Sequence, residues 1–98
     1  MSYEVSERAA EDFTEISDFT SAKWGEAQSG KYLVGLEDVC RSLGERQLIG
    51  RSAARVFPGL RRIEHGRHII FYSILDNAVR IERVLHERRA LKRKDFSM

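Results

Sequence analysis

The chain has 98 residues, 17 of them Lys or Arg and 15 Asp or Glu, which gives a formal net charge of +2. This length fits one domain with one modest core, and the hydrophobic share of 42% excludes a disordered chain. One cysteine excludes an internal disulfide framework, and no apolar run approaches the about 20 residues of a membrane-spanning helix. We therefore expect a single cytoplasmic domain over residues 1–98, without a membrane partner.

The first half of the chain predicts a short strand followed by two helices. Residues 3–5 alternate between apolar and polar side chains, as a β-strand does. Ser6 can cap the next helix, whose apolar residues recur with helical spacing as far as Gly25, a residue that favours the end of a helix. A second helix begins near Glu26 and ends at Gly44. Because one glycine joins them, the two helices should form an antiparallel hairpin.

The second half of the chain predicts an antiparallel sheet. Three β-rich segments are separated by turn signals, at residues 60–64, 67–74 and 78–86. The central segment is apolar on both faces, which is typical of a strand that is covered on both sides. In the last segment the alternation fails at Arg83, where a β-bulge would restore it. The elements predict an α+β fold in the order β-α-α-β-β-β, with the helical hairpin packed on one face of a small antiparallel sheet.

The second face of this sheet and the charge of the chain both indicate a partner. The hairpin can cover only one face of the sheet, so the C-terminal tail or a partner protein would have to cover the other. That other face carries either Ile69 and Phe71 or the set His68, Ile70 and Tyr72. Residues 1–49 contain 5 basic and 10 acidic side chains, net −5, whereas residues 50–98 contain 12 basic and 5 acidic, net +7. This asymmetry predicts an anionic partner for the basic half, either nucleic acid or an acidic protein segment.

A set of short motifs resembles toxins of the RelE/ParE superfamily, and the ParE branch in particular. The resembling segments are residues 9–13, 24–28, 32–33, 50–51, 58–61, 66–72 and 83–86. They follow the order of the family along nearly the whole chain, and the ordered set is more specific than any one motif. The chain departs from the family at residues 45–48, which replace the usual Asn-Pro turn. Another departure is Val56-Phe57, where the family often has a charged loop.

The resemblance implies the toxin of a type II toxin–antitoxin pair. ParE-like members trap DNA gyrase on cleaved DNA, so the resemblance implies an inhibitor that needs no catalysis, cofactor or metal. RelE-like members instead cut messenger RNA on the ribosome, and a ribosome-dependent endoribonuclease is therefore the alternative function. The ParE resemblance also implies a ParD-like antitoxin whose binding segment is acidic and disordered until it binds. Gyrase and this antitoxin are the expected partners, and the antitoxin would form a hetero-oligomer with the toxin.

The residues themselves favour the ParE-like function over the ribonuclease. Tyr72 is the last tyrosine, and the tail carries basic residues 92–94 where a RelE-like toxin would be expected to have its tyrosine. If the chain is a ribonuclease, His86 with Arg83 and Arg88 should supply the proton transfers and the charge stabilisation. A histidine that closes a strand through a backbone hydrogen bond explains His86 more simply. The histidines have no acidic or cysteine ligands at useful spacing, so no metal site is expected.

Two binding surfaces are predicted on the basic half of the chain. The target-binding residues, which belong to the last strand and the basic tail 88–98, are Arg83, His86, Arg88, Arg89, Lys92 and Arg93. The antitoxin-binding residues, which belong to the sheet, are Arg61, Arg67, Ile69, Phe71 and Arg80. Phosphate and carboxylate groups would both suit such surfaces.

Overall fold

The structure is a computed structural model, and it describes residues 3–89. The elements in chain order are β1 (Tyr3–Val5), α1 (Glu7–Trp24), α2 (Glu26–Glu45), β2 (Arg51–Ser52), β3 (Arg61–His65), β4 (His68–Leu75) and β5 (Ala78–His86). The two helices pack on a five-stranded sheet with the strand order β1-β5-β4-β3-β2. The predicted α+β architecture and its order of elements are confirmed, and β2 is a short additional strand that the sequence did not indicate.

The sheet is mixed, which corrects the prediction that all its strands are antiparallel. β2, β3, β4 and β5 pair antiparallel, but β1 runs parallel to β5 at the edge of the sheet. The pairing of β1 is extended by Ser6, whose backbone N–H donates to the carbonyl of Ile81 at 2.9 Å. The helical hairpin then carries the chain from this edge to β2 at the opposite edge.

Local sequence signals set the ends of the helices. The Ser6 hydroxyl accepts a hydrogen bond from the backbone N–H of Ala9 at 3.0 Å, as a helix cap does. Gly25 has φ = 90°, a conformation that glycine adopts without a steric penalty, and it separates α1 from α2. A buried hydrogen bond of 2.6 Å between the hydroxyls of Thr20 and Ser29 holds the two helices together at this bend. The predicted hairpin is confirmed.

The predicted β-bulge in the last strand is confirmed, one residue before Arg83. Phe71 pairs with Arg83 and Tyr72 pairs with Ile81, so Glu82 has no cross-strand partner. After the bulge, three consecutive residues of β5 are buried, beginning with Arg83. The extra residue explains why a strictly alternating pattern fails here.

Both faces of the sheet are covered by the chain itself. The core between the helices and the sheet contains Ala9, Ile16, Leu36, Cys40, Leu43, Ile70, Tyr72, Val79, Ile81 and Val84. A second cluster contains Ala53, Leu60, Ile69, Phe71 and Leu85, with Val56 and Phe57 packed against it. The residues between β2 and β3 therefore pack over the second face, which is buried without a partner protein. The pair Val56-Phe57, which replaces a charged loop, supplies the apolar side chains for this. The predicted contribution of the C-terminal tail lies outside the described residues.

Candidate functional site

The histidines of the chain, His65, His68 and His86, meet at one end of the sheet. His68 pairs across the strands with both His65 and His86, because the β3–β4 turn is tight and β5 ends opposite the start of β4. The rings of His68 and His86 are 5.4 Å apart and nearly perpendicular. The ring of Tyr32, from α2, lies 5.5 Å from both His65 and His68. We call these four residues the histidine cluster.

The Tyr32 hydroxyl joins α2 to the β3–β4 turn. Its oxygen lies 2.6 Å from Nδ1 of His68 and 3.2 Å from the carbonyl oxygen of His65, and it accepts the backbone N–H of Arg67 at 3.2 Å. Burial raises the pKa of Tyr32 above 10.0, although the Arg67 N–H partly opposes this shift. Burial also lowers the pKa of His68 below 6.5, and the neighbouring imidazole of His86 adds to this effect. Both groups are therefore neutral near pH 7.

The hydrogen-bond-accepting nitrogen of His86 is occupied by a backbone N–H. Nδ1 of His86 accepts a hydrogen bond from the N–H of Arg88 at 3.1 Å. A neutral imidazole bound in this way carries its hydrogen on Nε2, so the outer nitrogen donates and does not accept. This arrangement agrees with a histidine that closes a strand. It does not suit the general base that a ribonuclease would require.

Arg83 lies in the interior and is not part of an exposed binding surface. Its side chain is 7% exposed, and Nε and Nη2 donate to the two carboxylate oxygens of Asp12 at 2.8 and 3.0 Å. The N–H of Val84 donates to the same carboxylate at 2.9 Å. Arg83 is a structural link between β5 and α1, because the bulge brings it into reach of Asp12. The prediction that it binds the target or stabilises a phosphorane is wrong.

The remaining target-binding candidates lie beyond the end of β5. Arg88 and Arg89 are exposed, and Arg89 lines a cleft of about 400 Å³ together with Phe19 and the histidines His68 and His86. This cleft lies between the end of β5 and α1. Lys92 and Arg93 lie outside the described residues. The structure therefore brings His86, Arg88 and Arg89 together at this end of the sheet, and their role in binding the target stays a prediction.

The predicted antitoxin-binding residues do not form one surface. Ile69 is 6% exposed and Phe71 is 0% exposed, so neither can be an open contact in this structure. Arg61 binds the carbonyl of Gly50 and therefore belongs to the opposite end of the sheet from the histidine cluster. Arg67 forms an ion pair of 3.1 Å with Glu87. Arg80 forms ion pairs of 3.5 Å with Glu4 and with Glu82.

The described residues offer little support for other kinds of site. Within residues 3–89, no group of three His, Cys, Asp or Glu side chains could hold a metal ion. Over the same span, no helix combines the length and the apolar character that crossing a membrane requires. Cys40 is 1% exposed, and burial raises the pKa of its thiol to about 12, so it is not a nucleophile at neutral pH.

Comparison with known proteins identifies the family of this chain. A family model described as the ParE toxin of a type II toxin–antitoxin system, parDE, matches residues 3–91. The chain belongs to the ParE toxin family. It is 32% identical over 92 residues to the protein named Toxin ParE1 of Mycobacterium tuberculosis, covering 93% of this chain and 94% of that protein. It is 31% identical over 87 residues to Toxin ParE1 of Caulobacter vibrioides, covering 87% and 88% respectively.

A solved structure has the same fold as this ParE-family chain. The structure titled "Chromosomal ParDE TA system from P. aeruginosa" superimposes with a TM-score of 0.74 at 22% identity, over 88% of this chain and 95% of that one. The resemblance to the ParE branch is thus confirmed, and the chain is a ParE-type toxin of a type II toxin–antitoxin system. The RelE-like alternative gains no support from these relatives.

Proposed function

We propose that this ParE-family chain acts in the cytoplasm by inhibiting DNA gyrase, trapping the enzyme on cleaved DNA. A cognate ParD-like antitoxin would bind the toxin and neutralise it. The observation that carries the proposal is the match to the ParE toxin family over residues 3–91. Inhibition of gyrase is the action that the resemblance to ParE-like toxins implies.

The geometry at the end of β5 supports an inhibitor over a ribonuclease. RNA cleavage requires one group that accepts the 2′-hydroxyl proton and another that stabilises the phosphorane. Nδ1 of His86 is occupied by the N–H of Arg88, and the guanidinium of Arg83 is held by Asp12. Two of the three candidate catalytic groups are therefore engaged elsewhere. A toxin that only binds its target does not need them free.

The exposed basic end of the chain is our candidate surface for the target. Arg88 and Arg89 are exposed beside His86, and Lys92 and Arg93 follow them in the sequence. A complex of gyrase with cleaved DNA presents phosphates, and closely spaced cations bind phosphates through charge-assisted hydrogen bonds. This surface replaces the predicted one that included Arg83.

Two assays on the expressed toxin test the proposal. Toxin is induced in growing cells, and gyrase-bound cleaved DNA and ribosome-dependent cuts in messenger RNA are both measured. We expect cleaved DNA that depends on gyrase, intact messenger RNA and restored growth when the antitoxin is expressed as well. If messenger RNA is cut while gyrase remains unaffected at an excess of toxin, the proposal is wrong.

A matched pair of variants tests the basic end itself. Arg88→Ala/Arg89→Ala should raise the toxin concentration needed for half-maximal gyrase trapping by roughly tenfold, because exposed charges govern encounter with a charged partner. Lys31→Ala/Arg41→Ala removes two equally exposed charges from α2 and should change that concentration by less than about twofold. Equal effects of the two pairs would indicate a general dependence on net charge and contradict the assignment of the basic end as the target surface.

A further inference from the structure

The loop between α2 and β2, residues 46–50, exposes large apolar side chains. Leu48 is 71% exposed and Ile49 is 44% exposed. The Gln47 side-chain amide donates to the carbonyl of Asn77 in the β4–β5 turn, so the loop lies at that end of the sheet. Leu75, two residues before Asn77, is 68% exposed at the same end. Adjacent exposed aliphatic side chains on a small protein are typical of a surface that binds another protein.

This loop is held in one conformation by buried groups. The hydroxyl of Tyr72, a residue with 0% exposure, donates to the carbonyl of Gln47 at 2.7 Å and accepts the N–H of Gly50 at 3.1 Å. Nη2 of Arg61 donates to the carbonyl of Gly50 at 2.6 Å. A Cβ atom on Gly50 would lie 2.5 Å from the Tyr72 oxygen, so only glycine fits there. A partner would therefore meet Leu48 and Ile49 already in place, without an entropic cost of ordering the loop.

Arginines are frequent in the sequence around this apolar pair. Residues 44–62 contain five arginines and one acidic residue, Glu45, a net charge of +4. Arg51 and Arg62 share one carboxylate, that of Glu64, at 2.7 and 2.9 Å. A net charge of +2 is left when Glu64 and Asp76, in the β4–β5 turn, are included. Arg46 is exposed within the loop itself. The surroundings favour an acidic partner, and the two aliphatic side chains favour a protein over a nucleic acid, whose bases stack on aromatic rings.

A second apolar groove on the molecule has the opposite charge. It has a volume of about 390 Å³, lies between β1 and the two helices, and includes Val5, Phe13, Leu33 and Val34. Glu37 lines it, and residues 7–45, which form the two helices, hold 4 basic and 9 acidic side chains, a net charge of −5. An acidic segment would be repelled there. Charge complementarity therefore selects the α2–β2 loop for an acidic partner.

We propose that the α2–β2 loop, through Arg46, Leu48 and Ile49, is a docking surface for an acidic, leucine- or isoleucine-bearing segment of the cognate antitoxin. The inference rests on the proposed function for the existence of this antitoxin, and it adds where the antitoxin binds. β4 separates the loop from the histidine cluster by eight residues, about 23 Å of strand. The antitoxin-docking loop and the basic end thus lie at opposite ends of the sheet and are separable by mutation.

Isothermal titration of the purified antitoxin into full-length toxin tests the proposal. Leu48→Ser/Ile49→Ser should raise the Kd for the antitoxin at least about 30-fold, since both side chains lose their buried contacts. Val34→Ser, which alters the competing groove at a residue that is 55% exposed, should leave the Kd within about twofold. Circular dichroism and thermal melting should give the same folded state for both variants, because all three side chains are exposed.

The outcomes separate this inference from the proposed function. An unchanged Kd for Leu48→Ser/Ile49→Ser, or a larger loss for Val34→Ser, overturns the loop as the docking surface. Loss of toxicity in Leu48→Ser/Ile49→Ser with an unchanged Kd assigns the loop to the toxic target and also overturns the inference. If wild-type toxin binds the antitoxin through the loop but leaves gyrase untouched, the gyrase proposal fails and the inference stands. If wild-type toxin binds no antitoxin, both fail.

Discussion

The Asp12–Arg83 ion pair should be the most sensitive single interaction in the fold. Asp12→Ala removes a carboxylate that accepts three hydrogen bonds, two from Arg83 and one from the backbone N–H of Val84. It leaves the guanidinium buried without that carboxylate, and the side chains of the pair are only 7% and 6% exposed, so solvent cannot compensate. The expected loss in the free energy of unfolding is about 3–5 kcal/mol, the usual cost of breaking a buried pair.

This loss is large for a domain of 98 residues. Such domains have a total stability of about 5–15 kcal/mol, and each kcal/mol shifts the melting temperature by about 4–8 °C. Thermal melting of Asp12→Ala should therefore show a melting temperature lower by roughly 12–40 °C, and urea titration should give the loss of about 3–5 kcal/mol directly. The matched control is Asp38→Ala, which breaks the Asp38–Arg41 pair of 2.7 Å whose side chains are 60% exposed. That control should leave the free energy of unfolding nearly unchanged, because solvent screens so exposed a pair.

A double substitution separates the charge effect from packing. In Asp12→Leu/Arg83→Met, apolar side chains replace both charges, so no buried charge is left without its partner and most of the stability should return. A loss below about 1 kcal/mol in Asp12→Ala would refute the reasoning, because the pair would then behave as a surface pair. A double variant as unstable as the single variant would show that the hydrogen bond to Val84, and not the charge, carries the stability.

Three further predictions concern acid stability, the loop and the tail. Because burial holds the pKa of His68 below 6.5 in the folded chain, the unfolded chain takes up a proton first as the pH falls. Urea titrations between about pH 7 and pH 5 should therefore show a declining stability, and His68→Gln should remove part of that decline. Gly50→Ala should cost about 1–3 kcal/mol, measured by thermal melting, because its Cβ would clash with the Tyr72 hydroxyl. Truncation after Ala90 should reduce toxicity more than antitoxin affinity; equal losses with an unchanged circular dichroism spectrum would contradict this.

Local chemistry made the helices and the bulge predictable. A hydroxyl at Ser6 and a glycine at position 25 act within one turn of the chain, so their effect does not depend on the rest of the fold. The failure of alternation near Arg83 is also visible in one strand. The broken alternation of the strand indicates the bulge at Glu82. Nothing in the sequence near Arg83 indicates that its partner is Asp12. Asp12 lies 71 residues away, and only the packed fold brings the two together.

Long-range packing explains the predictions that failed. The sequence showed that the central strand has two apolar faces, but not that the chain between β2 and β3 would fold over the second one. In the sequence, Val56 and Phe57 stand out only as a departure from a family pattern, although they pack against the cluster that contains Phe71. A second departure, at residues 45–48, overlaps the exposed loop that we propose as a docking surface.

The convergence of the histidines was within reach of the sequence. A tight turn after His65 places His65 opposite His68, and a β5 strand that ends at His86 completes the row. No histidine taken alone indicates this convergence, because strand register, and not composition, decides which side chains meet. The sequence does not predict that Tyr32 joins the histidine cluster, because only the packing of α2 against the sheet brings its hydroxyl to His68.

The arginines of the sheet and its neighbouring loops have different contacts, and these contacts decide which of them can bind partners. Some are held by the protein: Arg83 by Asp12, Arg61 by the carbonyl of Gly50 and Arg67 by Glu87. Arg46 beside Leu48 and Arg88 after β5 are exposed. Because net charge cannot distinguish an arginine that fixes a loop from one that contacts a partner, substitution of Arg83 or Arg61 should lower stability, whereas substitution of Arg46 or Arg88 should lower binding at unchanged stability.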